Sequence, residues 1–489
     1  MDYRRFYILP ILYFYTLPLL MKPTAFLKSF SGLVLLNVLI KPVWIFGIDR
    51  QLQVLVGHEE YGTYFSILSL SIILSFLADA GITNMLNRQL ALQQPVHLGR
   101  LLRAKWLLVL LYCALVGMIA ALSGIQRWDI VALVCAIQVG TSFLLFYRNI
   151  LTGHQRFSTD AWMSVLDKLL MIVVAAPFLY PLFWSVHVSL EFFLSLQVAT
   201  IFTTVLTAYA LSRRFLKGEV SASTSLKDIL GLTLPFTVLV LLMSVHNRLD
   251  AFLLERLHPN GAYQAGVYAT AYRLLDAGST VGYLAASFLL PYVSRHMNQT
   301  ALVREIVFKL RHLLLLAGMG VLAFVAIYAG WVDSLLYGIG DRYHAMILLV
   351  TIGVLPAYYL TNIYGSLMTA KGLFKQFIVV VVISVAVNIV LNLLWIQPWG
   401  ALGCGMAALA SQYFCAVACL VVGSRAFGLS LRVQDFLFNI GVGALLLLFF
   451  YTGRHYGYNT FLLLIIGGIL TALIMFVAII RRRGAVSAI

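Results

Sequence analysis

The sequence contains very little charge. Only 11% of its 489 residues are Asp, Glu, Lys or Arg, whereas 62% are apolar and the mean hydropathy is +0.94. Soluble domains carry about 25% charged residues, so this chain has too few to cover a water-facing surface. Its apolar stretches are continuous over about 20 residues rather than alternating, which excludes a porin-type barrel. The composition therefore predicts an all-α polytopic membrane protein.

Cysteine and catalytic motifs are also scarce. The five cysteines all lie in apolar stretches and show no metal-ligand spacing, so neither disulfides nor a metal site is predicted. The sequence has no G-x-x-x-x-G-K-[ST], H-E-x-x-H or G-x-S-x-G motif, which are the signatures of nucleotide hydrolysis, zinc proteolysis and serine hydrolysis. We therefore expect no enzyme and no cofactor, apart from coupling to protons or Na⁺.

Apolar windows predict about fourteen membrane-spanning helices. These spans lie near residues 30–48, 61–82, 105–122, 128–147, 162–183, 192–211, 231–254, 266–292, 310–328, 346–368, 377–394, 400–422, 436–451 and 460–480. No connection between them is long enough for a folded domain outside the membrane. Any function must therefore reside within the helices.

Basic residues concentrate in alternate loops. With a cytoplasmic N-terminus, the cytoplasmic segments hold 25 basic residues, among them Lys105 and Arg311, and the opposite loops hold five. The positive-inside rule then predicts that both termini are cytoplasmic. The same rule, together with attraction to anionic lipid, accounts for the net charge of +16, so the bilayer is an expected partner and nucleic acid is not.

The first six spans and the next six share one layout. Three features align at offsets of 204, 207 and 217 positions. They are Gly62-Thr63-Tyr64 with Gly266-Val267-Tyr268, Arg88 with Arg295, and Thr152 with Thr369. Because six spans return the chain to its starting side, the halves are predicted to be parallel repeats, forming two six-helix bundles around a central cavity.

These boundaries divide the chain into five parts. The predicted division is an N-terminal lead 1–29, a first bundle 30–211, a cytoplasmic linker 212–230, a second bundle 231–422, and two additional helices with a basic tail 423–489.

Segments at the start of each half resemble a known family. In the first half they are GHEEYGTYFSILSL (57–70) and FLADAGITNMLNRQLA (76–91); in the second they are LPFTVLVLLMSVHNRLDAFLLERL (234–257) and GVYATAYRLLD (266–276). Over residues 25–425 the chain resembles the polysaccharide transporters and O-antigen flippases (Wzx type) of the multidrug/oligosaccharidyl-lipid/polysaccharide (MOP) exporter superfamily. Six residues match the family's usual positions, namely Gly62, Asp79, Gly81, Asp250, Gly266 and Tyr268.

The resemblance implies a flippase. Its substrate would be an undecaprenyl-pyrophosphate-linked oligosaccharide or polysaccharide repeat unit, moved across the bacterial inner membrane by alternating access. Polysaccharide polymerase and chain-length machinery are the partners it implies. The alternative is an ion-coupled small-molecule or multidrug exporter of the same superfamily, although spans 1, 3, 4 and 6 contain no acid that would suit such coupling.

Four basic residues inside predicted spans remain once those counted in the loops are set aside: Lys41, Lys168, Arg248 and Arg273. Charges in hydrocarbon usually face a cavity or pair with one another. We interpret Lys41, Arg248 and Arg273 as one outward cationic zone that binds pyrophosphate. The alternatives are structural pairing, of Arg248 with Asp250 or Asp276 and of Arg273 with Asp276, and snorkelling of these side chains to the membrane interface.

Other charged residues in the spans are candidates for coupling or gating. Asp250 lies two residues from Arg248 and four from His246, and is the candidate for proton or Na⁺ coupling. Asp79 either gates the cytoplasmic end of span 2 or bonds a helix end. Lys168 either meets an incoming anion first or pairs locally with Asp167, and Asp276 either gates or pairs.

The charge distribution generates a topology prediction. A cysteine at Glu59, in a cysteine-free background, should react with a membrane-impermeant maleimide in intact spheroplasts, because the loop near 57–61 is predicted to be external. A cysteine at Lys375, predicted to be cytoplasmic, is the control and should react only after permeabilisation. Protection of position 59 in intact cells would reject the orientation.

Overall fold

The computed structural model describes residues 36–37, 39–83, 86, 90, 98–154, 156–180, 188–215, 226–429 and 433–481. Within these ranges all regular secondary structure is helical, which confirms the predicted all-α membrane class. The predicted lead 1–29 and Arg88 lie outside the described residues.

The described ranges contain α-helices that we label α1 to α14 in chain order. They are α1 Arg50–Ser75, α2 Leu98–Leu122, α3 Trp128–Gly153, α4 Phe157–Met163, α5 Leu166–Leu179, α6 Leu190–Ser212, α7 Leu226–Leu257, α8 Gly261–Arg295, α9 Thr300–Tyr337, α10 Arg342–Ile352, α11 Leu355–Ala370, α12 Phe374–Ala426, α13 Val433–His455 and α14 Thr460–Arg481. A π-helical segment, Val43–Asp49, precedes α1, and a 3₁₀ turn, Phe76–Ala78, follows it. The bilayer core contains no water, so the backbone N–H and C=O groups there must form hydrogen bonds with each other, as they do in a helix.

Eleven described stretches are long and apolar enough to cross a membrane, and the shorter helix Thr460–Phe476 falls on the last predicted span. Two of the eleven, Leu39–Ala78 and Phe374–Ala426, each cover two predicted spans. The first is broken at Gly57 (φ 80°, ψ 170°) and the second at Gly400 (φ 53°, ψ −129°). A Cβ disfavours such backbone angles, so glycine permits a break with no intervening loop.

α1 and α8 cross at the aligned glycines of the repeat. A Cβ on Gly62 would lie 1.9 Å from the carbonyl oxygen of Ala262, and a Cβ on Gly266 would lie 1.9 Å from the carbonyl oxygen of His58. Each carbonyl belongs to the residue four positions before the aligned glycine, so the contact is reciprocal. This reciprocity is what two-fold-related repeats produce at their axis, and it supports the alignment of Gly62 with Gly266.

The chain divides into two compact units, residues 1–269 and 270–489. In the first unit α3 packs along α6 and α1 packs along α7. In the second unit α11 packs along α12 and α9 packs along α13. The linker predicted at 212–230, and the bundle boundaries on either side of it, stay a prediction.

The helix faces that point away from these cores are apolar. On α2, for example, Leu107 is 68% exposed and Leu110 is 63% exposed. Apolar surface on this scale would promote association in water, but it is the normal lipid-facing surface of a membrane protein.

The reciprocal crossing generates a stability prediction. Gly62→Ala or Gly266→Ala should destabilise the protein by about 1–3 kcal/mol or more, because the new methyl overlaps backbone that has no alternative rotamer. The measurement is the midpoint of thermal aggregation of the purified protein, followed by fluorescence-detected size exclusion. Gly117→Ala in α2 is the control, since a Cβ there would meet nothing within 4 Å. An unchanged midpoint for Gly62→Ala would contradict the close crossing.

Candidate functional site

A group of polar and charged side chains lies where the first helical stretch packs against α4 and α5. Asn37 donates a hydrogen bond from Nδ2 to the hydroxyl of Ser164 (3.0 Å), which fixes the two segments side by side. Lys41 follows Asn37, and Lys168 follows Ser164, by four positions in the chain. Lys41 is half-buried and lies within electrostatic reach of Lys168. The structure thus brings together two lysines that the sequence assigned to separate roles.

The other cations of this group, Lys168 and Arg148, are each paired with an acid. The ammonium of Lys168 lies 2.9 Å from Asp167 Oδ2, as one sequence alternative predicted. Arg148 binds Asp160 through Nε (2.7 Å) and Nη2 (3.2 Å). Lys41 lies within electrostatic reach of the Lys168–Asp167 pair and of Arg148, and so adds a further cation to two that are already paired. This local excess of positive charge suits an anion with several oxygen acceptors.

The remaining candidates lie on α7 and α8. On α7, Arg248 is half-buried, and His246 and Asp250 are 1% and 2% exposed, one turn apart on the same face. On α8, Arg273 and Asp276 are both half-buried and three positions apart. The parts assigned to these five residues in anion binding and in coupling stay predictions.

Asp79, which is half-buried, belongs to an ion pair that was not predicted. Its partner is Lys105, whose side chain is fully enclosed. The Lys105 ammonium donates hydrogen bonds to Asp79 Oδ1 (2.9 Å), Ser142 Oγ (2.8 Å) and the carbonyl oxygen of Ala78 (3.4 Å). Three acceptors thus meet the three N–H bonds of the ammonium.

The chain path explains why Asp79 can reach this lysine. The 3₁₀ turn Phe76–Ala78 ends the helix, and the next two residues have positive φ, 41° at Ala80 and 81° at Gly81. The Asp79 carboxylate also accepts hydrogen bonds from the backbone N–H (3.3 Å) and the hydroxyl of Thr83. Asp79 therefore makes the predicted helix-end hydrogen bond in addition to its ion pair.

Lys105 was assigned to a cytoplasmic loop from the sequence, and this assignment is wrong. α2 begins at Leu98, so Lys105 lies two turns inside the helix. The rings of Phe143 and Phe146 have their centroids 5.7 and 5.6 Å from its ammonium. An enclosed cation that donates every hydrogen bond it can is held in place by the protein.

The second unit contains a buried pair of similar composition. Arg311 of α9 donates from Nη2 to Asp435 Oδ2 of α13 (3.0 Å) and from Nη1 to the Tyr364 hydroxyl (3.3 Å). Both charged side chains are 5% exposed. The rings of Phe308 and Phe436 have their centroids 5.4 and 5.0 Å from the guanidinium carbon. The loop assignment of Arg311 is therefore also wrong.

One signal in the sequence could have identified both buried cations. Lys105 and Arg311 are 206 positions apart, within one position of the offset of 207 that aligns Arg88 with Arg295. Surface loops have no reason to keep a basic residue in such register, whereas a repeated structural position does. No comparable signal identifies Asp435, because α13 lies beyond the repeats.

Comparisons with known proteins agree with this architecture. Residues 35–297 match the model of a family described as polysaccharide biosynthesis protein. The chain is similar in structure to the lipid II flippase MurJ in an inward closed conformation, with a TM-score of 0.66, 14% identity, and coverage of 92% of this chain and 99% of that chain. No curated protein sequence matches the chain.

Two further solved structures show the same fold. An inward-facing multidrug resistance MATE family transporter of the MOP superfamily has a TM-score of 0.56 and 17% identity, with coverage of 81% of this chain and 94% of that chain. A MOP superfamily transporter from Pyrococcus furiosus has a TM-score of 0.54 and 13% identity, with coverage of 87% and 95%. The fold expected from the resemblance is confirmed.

The Asp79–Lys105 pair generates a stability prediction. Asp79→Asn and Lys105→Met should each lower the yield of folded protein, because one unpartnered buried charge costs about 3–5 kcal/mol. The double variant Asp79→Asn/Lys105→Met should recover much of the loss, since it leaves no charge behind. The measurement is the monodisperse fraction after extraction from membranes.

Arg103→Gln is the matched control for this pair. Arg103 is exposed on the same helix and bonds the Gly99 carbonyl one turn back, so its loss should leave the yield unchanged. A double variant as unstable as both single variants combined would show that Asp79 and Lys105 are not coupled.

Proposed function

Because this chain belongs to the polysaccharide biosynthesis protein family, we propose that it is a flippase for a lipid-linked sugar. The proposed substrate is an undecaprenyl-pyrophosphate-linked oligosaccharide or polysaccharide repeat unit, such as that of an O-antigen. It is carried across the bacterial inner membrane by alternating access, without covalent chemistry. Both termini are cytoplasmic in this proposal, and polysaccharide polymerase and chain-length machinery receive the product.

The observation that carries the proposal is the excess of positive charge around Lys41. Sugars differ from one glycan to another, but every substrate of this class has a diphosphate beside its lipid. Lys168 is paired with Asp167, and Lys41 adds a further cation within electrostatic reach of that pair. A diphosphate between the two ammonium groups supplies the missing negative charge and relieves their mutual repulsion.

The fold supports the same function. MurJ is named as a flippase of lipid II, and its fold is matched over 92% of this chain. A helical architecture of this type is therefore compatible with moving a lipid that carries a polar headgroup.

Arg248 and Arg273 are proposed as further contacts to the anion. A guanidinium binds phosphate oxygens in pairs through its planar fork, whereas an ammonium acts as a point charge. Both arginines are half-buried, which weakens competition from water while leaving part of the side chain accessible.

An ion-coupled exporter of small molecules is the second candidate function. The observation in its favour is the enclosed pair of His246 and Asp250, since a buried acid within a span is a typical proton or Na⁺ carrier. In this role Asp79, Lys168 and Asp276 are candidates for gating. Efflux of small organic cations driven by an imposed ion gradient, with no movement of lipid-linked sugar, would favour this candidate.

Transport assays on single variants test the proposed anion site. Lys41→Ala should remain folded but lose about tenfold or more of its translocation rate, since a charge-assisted hydrogen bond is worth about 1.5–3 kcal/mol. Lys41→Arg should keep part of the rate. Arg248→Ala and Arg273→Ala should be slower than the corresponding lysine variants. The measurement is translocation of a fluorescent sugar-linked undecaprenyl pyrophosphate in reconstituted vesicles.

Two controls accompany these variants. Lys309→Ala removes a cation that is paired with Glu305 on the surface of α9, and should leave transport unchanged. Exchanging the charges of Arg273 and Asp276 tests the alternative of structural pairing. An active exchanged variant would show that Arg273 serves only to balance Asp276, and full transport by Lys41→Ala would remove Lys41 from the site.

A further inference from the structure

The two buried cations have the same kinds of neighbour. Lys105 is met by one carboxylate, from Asp79, and one hydroxyl, from Ser142. Arg311 is met by one carboxylate, from Asp435, and by a hydroxyl on Tyr364. Each cation also lies close to two phenylalanine rings. They are 206 positions apart, close to the offset of 207 that aligns Arg88 with Arg295.

The hydroxyl comes from the corresponding predicted span in each half, although not from an aligned position, whereas the carboxylate comes from different elements. Ser142 lies in the fourth predicted span of the first half, and Tyr364 lies in the fourth predicted span of the second half. Asp79 comes from the second span of its own half. The positions 204 to 207 residues after Asp79 are 283–286, which read Tyr-Leu-Ala-Ala and contain no acid. In the second half, α13 supplies the carboxylate instead.

α9 and α13 also contact each other well beyond this pair. A Cβ on Gly443 would lie 3.5 Å from the Cβ of Met319. Further along, the Tyr328 hydroxyl donates to the carbonyl oxygen of Phe450 at 3.5 Å. From Arg311 to Tyr328 the contacts span 17 residues, or about 25 Å of helix. α9 and α13 therefore run side by side in the same direction, and we call this line of contacts, from Arg311–Asp435 to Tyr328–Phe450, the seam.

We propose that Asp435 is a positioning residue that fixes α13 to α9, so that α13 stays attached to the second unit throughout the transport cycle. A guanidinium does not release its proton in a protein, so Arg311 requires its counter-charge in every state. Any movement that separated α13 from α9 would leave both charges in an apolar environment. The part of this inference that concerns transport rests on the proposed function.

A cross-link across the seam tests the attachment. The variant Met319→Cys/Gly443→Cys, in a background without the five native cysteines, places two sulfurs on Cβ atoms about 3.5 Å apart, within the range of about 3.5–4.5 Å for a disulfide. Oxidation in membranes should cross-link it efficiently. Adding Asp435→Asn should slow the cross-link by about tenfold or more, because Arg311 loses its counter-charge.

Two further variants test whether the effect of Asp435→Asn on cross-linking is specific to the pair of Arg311 and Asp435. Adding Arg311→Met together with Asp435→Leu should restore rapid cross-linking, since no buried charge remains. Glu305→Gln, which breaks the exposed pair with Lys309 on α9, is the matched control and should have no effect. Cross-linking that is unaffected by Asp435→Asn would overturn the proposed role of Asp435.

Transport by the cross-linked protein tests the second part. Translocation by the oxidised and reduced forms should be equal within about twofold if α13 and α9 stay together. Inhibition that dithiothreitol reverses would overturn the proposal, because it would mean that the seam opens during transport. If neither form moves lipid-linked sugar, the proposed flippase function fails. The cross-linking rates alone then test whether Asp435 fixes α13 to α9.

Discussion

A charge enclosed among apolar helices must be met by an opposite charge and by hydrogen-bond acceptors, and this constraint organises both units. Lys105 and Arg311 satisfy it with one carboxylate and one hydroxyl each. Neither arrangement is local in sequence, because the acceptors come from different helices. Each buried cation therefore ties together helices that apolar packing alone would leave free to slide, since apolar contacts between helices in lipid are weakly directional.

The two arrangements differ in a way that gives the C-terminal helices a structural task. Both halves have the same requirement, namely a carboxylate opposite the buried base. In the first half Asp79 meets it from within the repeat, at the point where the 3₁₀ turn ends. In the second half the carboxylate of Asp435 comes from outside the repeat. α13 is thus integral to the second unit rather than an appendage to a finished bundle.

The sequence predicted the fold class and the helix positions well, because apolar length and period report directly on hydrocarbon burial. It also predicted the repeat, and the reciprocal contact of Gly62 and Gly266 supports the alignment. It misplaced Lys105, because hydropathy treats a lysine at the start of a span as a loop residue. Which acid meets a buried base depends on packing between distant segments, and no periodicity carries that information. The same limit applies to Lys41 and Lys168, which lie 127 positions apart.

Comparison of Lys41 with Lys105 separates two uses of a buried cation. The ammonium of Lys105 has all three N–H bonds accepted and its side chain is fully enclosed, so it has nothing left with which to bind a ligand. Lys41 is only half-buried and lies within electrostatic reach of Lys168 and Asp167, which are already paired with each other. A carrier has to release the ligand that it binds. Release is fast only when binding is not too tight, and water that reaches the site weakens binding by competing with the ligand. A cation such as Lys41, which is only partly neutralised and partly buried, therefore suits the transient binding of an anion. A cation such as Lys105, which is fully neutralised and enclosed, suits a fixed contact between helices.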